Sequence, residues 1–285
     1  MVKRSIIAQC KQFGRLVSTT TTTTTSTSPP GLELINMINT NKGYTIVQMN
    51  RPPVNSFNLQ LMRELITAVD ISETSSQTRG LIITSAHRSF GAGLDLHEMC
   101  NSDLSHLKLF WSAFQELHLR LYTSPLVTLA AINGHAVAGA SALTLVCDYR
   151  IMAEGKYKIG LPTVHTGILV PLWLSKLFKL TVGEKEAQRY LCLGALSSPE
   201  EALSRGLVDS VVPGEELMDT CGDLMERWLK VPDNGRVRTK QLMRGAFVEE
   251  FKGDSERDRD EYLNMMSDPA FVEHLKSYTG RLKKK

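Results

Sequence analysis

The chain has 285 residues, of which 42% are hydrophobic and 22% are charged, proportions typical of a folded globular protein. Its 33 basic and 30 acidic residues give a net charge of +3, so the charge does not favour nucleic acid as a partner. No stretch of about eighteen apolar residues predicts a membrane span. The scattered cysteines form no CxxC motif and no cluster with histidines, which predicts reduced thiols and no metal site.

The first 31 residues differ in composition from the rest of the chain. Basic residues occur between Lys3 and Arg15, and the first acidic residue is Glu33. Apolar residues lie between these charges, so the segment can form the basic amphipathic helix of a mitochondrial transit peptide, with a disordered tail as the alternative. The threonine run Thr19–Thr25 and the Ser/Pro residues after it are typical of a linker that buries no core. Residues 1–31 are therefore predicted to be a transit peptide and linker, which favours the mitochondrial matrix.

From Leu32 onward, strand patterns alternate with helix patterns. This alternation predicts an α/β fold with a largely parallel sheet. No strand pattern occurs after residue 215, so residues 215–285 are predicted to be a helical C-terminal segment. The predicted strands are 44–50, 80–86 and 126–134, the predicted helices are 59–72, 106–124, 172–180 and 184–193, and the apolar stretches 141–153 and 157–161 lie between the two groups.

Two glycine-containing turns follow the buried strands. In the stretch "SFGAGLDLHEM", Ser89–Met99, two glycines separated by Ala92 allow a tight turn that points successive N–H groups into one concavity. In Ile132–Asp148, a strand ends at Asn133-Gly134 and Gly139 stands where an apolar helix begins. Free N–H groups at a helix start suit developing negative charge. Either turn by itself is more often structural than functional.

The order and spacing of five motifs resemble the crotonase (enoyl-CoA hydratase/isomerase) superfamily. The resemblance covers residues 33–285. Three stretches, "AGLDLHEM" within the second motif, "FWSAFQELHLRLYTS" and "PLW", are most similar to the mitochondrial Δ3,Δ2-enoyl-CoA isomerases of that superfamily. The five motifs are "RPPVNSFN", "SFGAGLDLHEM", "AAINGHAVAGASALTLVCDYRIMA", "YKIGLPTVHTGI" and "SSPEEALSRGLVDSVVP".

The resemblance implies a crotonase-like fold, in which ββα repeats form a spiral, over residues 32–214, followed by the helical segment 215–285. It implies an acyl-CoA thioester as substrate, no cofactor beyond that CoA, fatty-acid β-oxidation as the setting, and a homotrimer. By motif position, the backbone N–H groups of Leu94 and Gly139 would hold the thioester oxygen. The predicted substrate-binding residues are Ala92, Gly93, Leu94, Gly139 and Ala140.

The proton carrier of the family has no counterpart in this sequence. The resemblance places the catalytic glutamate of the isomerases at Thr163, and the additional glutamate of the hydratases at Ala142. Neither side chain acts as a base near neutral pH. His165 lies two residues further on and is the candidate substitute base, with a plain loop histidine as the alternative. An unperturbed imidazole titrates near pH ~6.5 and can carry a proton. Residues 163 and 165 face the same side if the stretch is extended, and different sides if it is a helical turn.

Other polar and aromatic residues near these motifs have structural interpretations. His97 and Glu98 are expected to cap or pack, and Asp95 and Asp148 are expected to accept backbone N–H groups. Phe110, Trp111 and Phe114 are expected in the core, with an acyl tunnel as the alternative. Lys276, Arg281 and the last lysines are expected on a solvated helix end, with CoA phosphates as the alternative.

Three hypotheses about function follow from these residues. The first is a mitochondrial enoyl-CoA isomerase whose missing glutamate is replaced by His165 or another group. The second is an acyl-CoA-binding protein that has the oxyanion pocket but has lost its base. The third is a non-catalytic partner that joins the trimers of active relatives.

Overall fold

A computed structural model describes residues 25–26 and 31–282, so the predicted transit peptide lies outside the described residues. The strands are β1 (Thr25–Ser26), β2 (Ile35–Asn39), β3 (Tyr44–Met49), β4 (Gly80–Ser85), β5 (Val127–Ile132), β6 (Ala136–Val137), β7 (Tyr149–Ala153), β8 (Ile159–Gly160), β9 (Leu196–Ser197) and β10 (Ser210–Val212). The helices are α1 (Leu59–Thr74), α2 (Leu96–Asn101), α3 (Leu104–Thr123), α4 (Gly139–Leu145), α5 (Leu172–Val182), α6 (Glu184–Cys192), α7 (Pro199–Ser204), α8 (Leu217–Leu229), α9 (Asp233–Ser267) and α10 (Pro269–Leu282). Two short 3₁₀ helices span Pro162–Thr166 and Gly214–Glu216.

The main sheet has seven strands in the order β1-β2-β3-β4-β5-β7-β10. The pairs β1-β2 and β2-β3 are antiparallel, and every other pair in this sheet is parallel. A second sheet of three short strands has the order β6-β8-β9. The prediction of an α/β fold with a largely parallel sheet is confirmed.

The central strands are apolar because helices cover both faces of the sheet. Every residue of β4 and β5 is buried, as expected for parallel strands with no face open to water. On one face lies the larger core, to which α1 and α3 contribute their apolar sides. On the other face, Leu217, Cys221 and Met225 of α8 pack against Ile82 and Leu129. The loops after the strands are thereby held on a rigid support.

Most predicted elements match within a few residues, and two differ. The stretch 141–153 divides into α4 and β7, with the turn at residues 146–148 between them. Thr25–Ser26, in the predicted linker, pairs with Ile38–Asn39 as an antiparallel edge strand. Such pairing requires only backbone groups, so it places no demand on the residue types of this threonine-rich sequence.

The C-terminal part of the described chain is helical, as predicted. The 35-residue helix α9 packs on α3, and α10 packs back on α2 and on the 3₁₀ helix Pro162–Thr166. No helix in the described ranges combines the length and the apolar character needed to cross a membrane.

Candidate active site

An apolar cavity of about 210 Å³ lies among the loops that follow the strands and the C-terminal helix. It brings together residues from both glycine-containing turns, from the 3₁₀ helix and from α3, α5 and α10. The residues that line it are Ala92, Leu94, Leu96, Trp111, Phe114, Val137, Ala138, Gly139, Leu161, Pro162, Thr163, Thr166, Ile168, Leu169, Val170, Pro171, Leu174 and Tyr278.

The two glycine-containing turns meet at Gly93. Its φ of +86° lies in the left-handed region, which glycine adopts without a steric penalty. A Cβ at this position would lie 2.6 Å from the Cβ of Ala138 and 2.8 Å from the backbone nitrogen of Gly139. Only glycine therefore permits this approach of the two turns.

The backbone N–H groups of Leu94 and Gly139 lie close together at this contact. The nitrogen of Leu94 is 3.4 Å from the point where a Cβ on Gly139 would stand. Within the described part of the chain, neither N–H has a hydrogen-bond partner. Gly139 is the first residue of α4, where helical N–H groups have no intrahelical acceptor. Two donors thus remain free beside an apolar cavity.

The residue before Gly139 has an unusual backbone conformation. Ala138 has φ +55° and ψ −125°, which is uncommon for a residue with a side chain. The N–H of Ala138 donates to the carbonyl of Gly160, and its carbonyl accepts from Ala142. These bonds fix the peptide that carries the Gly139 N–H. Strained residues of this kind occur more often at functional sites.

The loop before Leu94 is held by backbone and charged contacts. Phe57 donates its N–H to the carbonyl of Gly93 at 2.7 Å, and the N–H of Asp95 donates to the carbonyl of Phe57 at 3.0 Å. Arg51 donates to Ser56 O and to the carboxylate of Asp95, both within 2.8 Å. The Leu94 peptide between these bonds is therefore fixed in position.

The opposite wall of the cavity is the 3₁₀ helix Pro162–Thr166. Thr163 lines the cavity, and its Oγ1 is buried without a hydrogen-bond partner among the described residues. Thr166 also lines the cavity and donates its hydroxyl to the carbonyl of Thr163 at 2.6 Å. Residues three apart in a 3₁₀ helix share a face, so this helix presents two threonines to the cavity.

His165 lies on another face of the same 3₁₀ helix. It is exposed and does not line the cavity. Its Nε2 stands 2.6 Å from the point where a Cβ on Gly194 would lie, so the imidazole packs against the loop after α6. The structure therefore does not bring the predicted substitute base to the cavity, because the stretch is helical rather than extended.

The predicted substrate-binding residues divide into two groups. Ala92, Leu94 and Gly139 line the cavity, and Gly93 lies directly between the two turns. Ala140 is fully buried and does not line the cavity, since its methyl group packs towards Gly91.

The aromatic residues of α3 also divide. Trp111 and Phe114 line the cavity, whereas Phe110 is fully buried in the core. All three residues belong to the buried core, which confirms the core expectation, while an acyl tunnel along Trp111 and Phe114 stays a prediction.

The C-terminal helix α10 contributes a cavity residue that the sequence did not indicate. Tyr278 lines the cavity, and the guanidinium of Arg281 lies 5.9 Å from the centre of its ring. Phe271 packs 3.3 Å from the Cβ position of Gly167, which anchors α10 at the end of the 3₁₀ helix. The helical pattern of the C-terminal segment did not indicate this contact, because the contact joins residues about a hundred positions apart in the sequence.

The other polar candidates have structural contacts. Asp95 caps α2 by accepting the N–H groups of His97 and Glu98, and Glu98 accepts the N–H of Leu59 at 3.1 Å. Asp148 accepts the N–H of Thr128 at 2.9 Å. The expectations are confirmed for Asp95, Glu98 and Asp148, whereas the side chain of His97 is exposed and neither caps nor packs.

Lys276 and Arg281 are exposed on α10, and Lys283–Lys285 lie outside the described residues. A contact of these side chains with CoA phosphates stays a prediction.

Tyr278 is the only ionisable side chain among the described residues that line the cavity. No carboxylate or imidazole contributes to this lining, and no three His, Cys, Asp or Glu side chains of the described chain cluster so as to hold a metal ion. The site therefore combines two free backbone donors, an apolar enclosure, two threonines and one phenol.

Comparison with known proteins places the chain in one family. The sequence profile of "Enoyl-CoA hydratase/isomerase" matches residues 39–284. The chain is 39% identical over 243 residues to human "Enoyl-CoA delta isomerase 1, mitochondrial", covering 85% of this chain and 80% of the human protein. It is also 39% identical over 245 residues to the mouse protein of the same name, covering 85% of each chain.

Solved structures agree with this assignment. The crystal structure of human mitochondrial delta3-delta2-enoyl-CoA isomerase superposes with a TM-score of 0.86 at 37% identity, covering 88% of this chain and 99% of that one. The fold alone is shared with enoyl-CoA hydratase from Bacillus halodurans, which has a TM-score of 0.79 at 23% identity and covers 86% and 100% of the two chains. The predicted crotonase-like fold with a helical C-terminal part is confirmed.

Proposed function

The chain belongs to the enoyl-CoA hydratase/isomerase family, and from this premise we propose that it is an enoyl-CoA isomerase, which moves the double bond of a 3-enoyl-CoA to the 2-position. The observation that carries the proposal is the pair of free N–H groups of Leu94 and Gly139 beside an apolar cavity. The 39% identity to human and mouse enoyl-CoA delta isomerases supports the choice of reaction within the family.

The two N–H groups serve as an oxyanion hole. Removal of a proton from C2 of the substrate converts the thioester into a dienolate, whose negative charge resides largely on the thioester oxygen. Preorganised donors stabilise this charge, and each donor is worth ~10²–10³ in rate in other enzymes. The apolar lining strengthens these interactions by excluding water. Return of the proton to C4 then gives the conjugated product.

The proton carrier has to be a side chain other than that of residue 163. Thr163 stands at the position of the family glutamate, and its hydroxyl is not a base near neutral pH. His165 would have to move from its contact with Gly194 to reach the substrate. Tyr278 is the ionisable group that already borders the cavity, so we assign it as the carrier to be tested beside His165. Whichever of the two side chains acts would have to take the proton from C2 and return it to C4.

A second candidate function is acyl-CoA binding without turnover. The absence of a carboxylate or imidazole from the described cavity lining favours this candidate. Loss of a general base costs ~10²–10⁴ in rate in other enzymes, while the apolar cavity and the oxyanion donors would still bind a thioester.

The setting of the reaction is also part of the proposal. We place the protein in the mitochondrial matrix, with residues 1–31 as transit peptide and linker, because the human and mouse relatives are named mitochondrial. The chain is proposed to divide into a core, residues 32–214, and a helical segment, residues 215–285, and to assemble as a homotrimer. The reaction needs only proton transfer, so no cofactor beyond the CoA of the substrate is proposed.

The test is the rate at which the full chain converts a 3-enoyl-CoA into the conjugated 2-enoyl-CoA, followed by ultraviolet absorbance. We expect the wild type to turn over the substrate. Turnover should be lost in Tyr278→Phe if Tyr278 carries the proton, and in His165→Ala if His165 carries it. A wild-type rate of zero, with turnover in Thr163→Glu and none in Thr163→Gln, would establish the second candidate. Inactivity of all these proteins, together with no binding of any acyl-CoA, would overturn both candidates.

A further inference from the structure

A buried carboxylate lies directly behind the cavity wall. Asp258 of α9 is 8% exposed, and its Oδ2 accepts three N–H groups from residues of α3 and α5. The donors are Trp111 Nε1 at 2.9 Å, Gln115 Nε2 at 2.6 Å and Trp173 Nε1 at 3.3 Å. One oxygen atom thus ties three helices together at this point.

The two indoles held by Asp258 are also clamped by aromatic rings of α9. Trp111 stacks on Tyr262 with 4.1 Å between ring centres and 9° between planes. Trp173 stacks on Phe251 with 4.5 Å and 7°. Trp111 is the one of the two that lines the cavity. Its ring is therefore fixed both by its face and by its N–H.

The three side chains that donate hydrogen bonds to the Asp258 carboxylate are all neutral. No lysine or arginine of the described chain forms an ion pair with it, and burial raises the pKa of its carboxyl group while the three N–H donors oppose that shift. A buried carboxylate without a cation costs stability relative to an apolar residue of similar volume. A role in fixing one arrangement of the wall explains its presence better than a gain in stability does.

A second, small cavity of about 30 Å³ lies on the far side of this wall. It shares Trp111, Leu169, Val170 and Pro171 with the large cavity. Its remaining residues include the two acids Asp258 and Glu261. An alkyl chain that passed Trp111 would have to displace the indole from its stack and then desolvate carboxylates.

We propose that Asp258 sets the length limit for the acyl chain by locking the indole of Trp111 as the end wall of the cavity. The inference rests on the proposed function, because it assumes that this cavity holds an acyl-CoA. Asp258 acts through Trp111 and is a positioning residue. The substrate class that follows is acyl-CoA whose chain ends at Trp111, with no further affinity gained by a longer chain.

The experiment measures the affinity of the full chain for saturated acyl-CoAs of increasing length by isothermal titration calorimetry. In the wild type, affinity should rise roughly fourfold for each added methylene until the chain meets Trp111, and then stop rising. In Asp258→Leu, which offers no acceptor to the indole, the rise should continue for at least one further methylene while shorter chains bind within about twofold of wild type. In Asp258→Asn, whose amide oxygen can still accept the indole N–H, the wild-type limit should return.

Two controls separate positioning from general damage. Asp260 is exposed on the same helix, so Asp260→Leu should leave the length limit unchanged. The tryptophan emission, recorded in a Trp228→Phe background, should shift in Asp258→Leu and stay constant in Asp260→Leu. If Asp258→Leu does not fold, Trp111→Phe decides, because it removes the N–H that Asp258 holds and should move the limit in the same direction.

The outcomes are distinct. A length limit that is unchanged in Asp258→Leu, or an affinity that changes equally at all lengths, overturns the inference and leaves the proposed function standing. An unchanged limit in Trp111→Phe has the same meaning. Failure of the wild type to bind acyl-CoA of any length overturns the proposed function, and this inference with it.

Discussion

On the Leu94–Gly139 side of the cavity the polar groups belong to the backbone, whereas on the Pro162–Thr166 side they belong to side chains. The two N–H donors are set by the approach of two turns, which depends on glycine at position 93. The opposite side presents whatever residues occupy positions 163 and 166, here two threonines. A backbone site is preserved by most substitutions, while one replacement removes a side-chain base. This difference explains how a chain can keep two free backbone donors beside the cavity while position 163 is a threonine.

The largest effect is expected from Gly93→Ala, which disrupts the Leu94–Gly139 side of the cavity. The added Cβ would clash with Ala138 and with the nitrogen of Gly139, and the φ of +86° disfavours any side chain. The two N–H groups would then no longer converge. We expect the stabilisation of a bound thioester enolate to fall by ~10²–10³. The enolate fraction of a bound 3-oxoacyl-CoA, read by ultraviolet absorbance, measures this without any catalytic base.

Gly253→Ala is the matched control for that measurement. Gly253 lies in α9 with nothing within 4 Å of its Cβ position, so the enolate fraction should not change. Thermal unfolding of both variants separates loss of the site from loss of the fold. A Gly93→Ala protein that is folded and stabilises the enolate as well as wild type would contradict the backbone assignment.

Helix α3, which carries the cavity residues Trp111 and Phe114, should respond to acid through His118. This histidine of α3 is fully buried against Phe114 and Trp173, and burial lowers its pKa to about 4, although its Nδ1 contacts the carbonyl of Phe114. The unfolded chain binds this proton below pH ~6.5 and the folded chain only near pH 4, so stability present above pH ~6.5 is lost as the pH falls towards 4. At pH 5 the loss from this group is about 2 kcal/mol.

The variant His118→Phe removes this proton site and keeps a ring in contact with its neighbours. Urea unfolding at pH 7 and pH 5 should show a stability loss on acidification that is smaller than in wild type by about 2 kcal/mol. The exposed His97 provides the control, and His97→Gln should leave the pH dependence unchanged. An equal loss in His118→Phe and wild type would mean that the imidazole is not buried in the neutral form.

The contrast between the two walls also explains what the sequence could predict. The strand-end turns were predicted because glycines in a short local pattern determine their backbone, and the structure joins them at Gly93 and Gly139. The resemblance to the family also predicted that Thr163 stands where the isomerases have their catalytic glutamate, and Thr163 does line the cavity.

The side-chain wall was less predictable, because it is formed by contacts between distant segments. The direction of His165 depended on whether residues 162–166 are extended or helical, which the sequence left open. The burial of Ala140 follows from its contact with Gly91, and the position of Tyr278 follows from the packing of α10 on the 3₁₀ helix. The three donors to Asp258 lie at least 85 positions away from it, so no local pattern signals their convergence.

The smallest effect is expected from Leu94→Ala, which shortens a side chain on the Leu94–Gly139 side of the cavity and keeps the backbone N–H. In Leu94→Ala the N–H donor remains, and the lost side-chain carbons face the keto and enolate forms alike, so the enolate fraction of a bound 3-oxoacyl-CoA should stay nearly unchanged. Leu94→Pro removes that N–H, which has no partner among the described residues, and should lower the enolate fraction by ~10²–10³. Equal losses in the two variants would show that the Leu94 side chain, rather than its N–H, is what the thioester contacts.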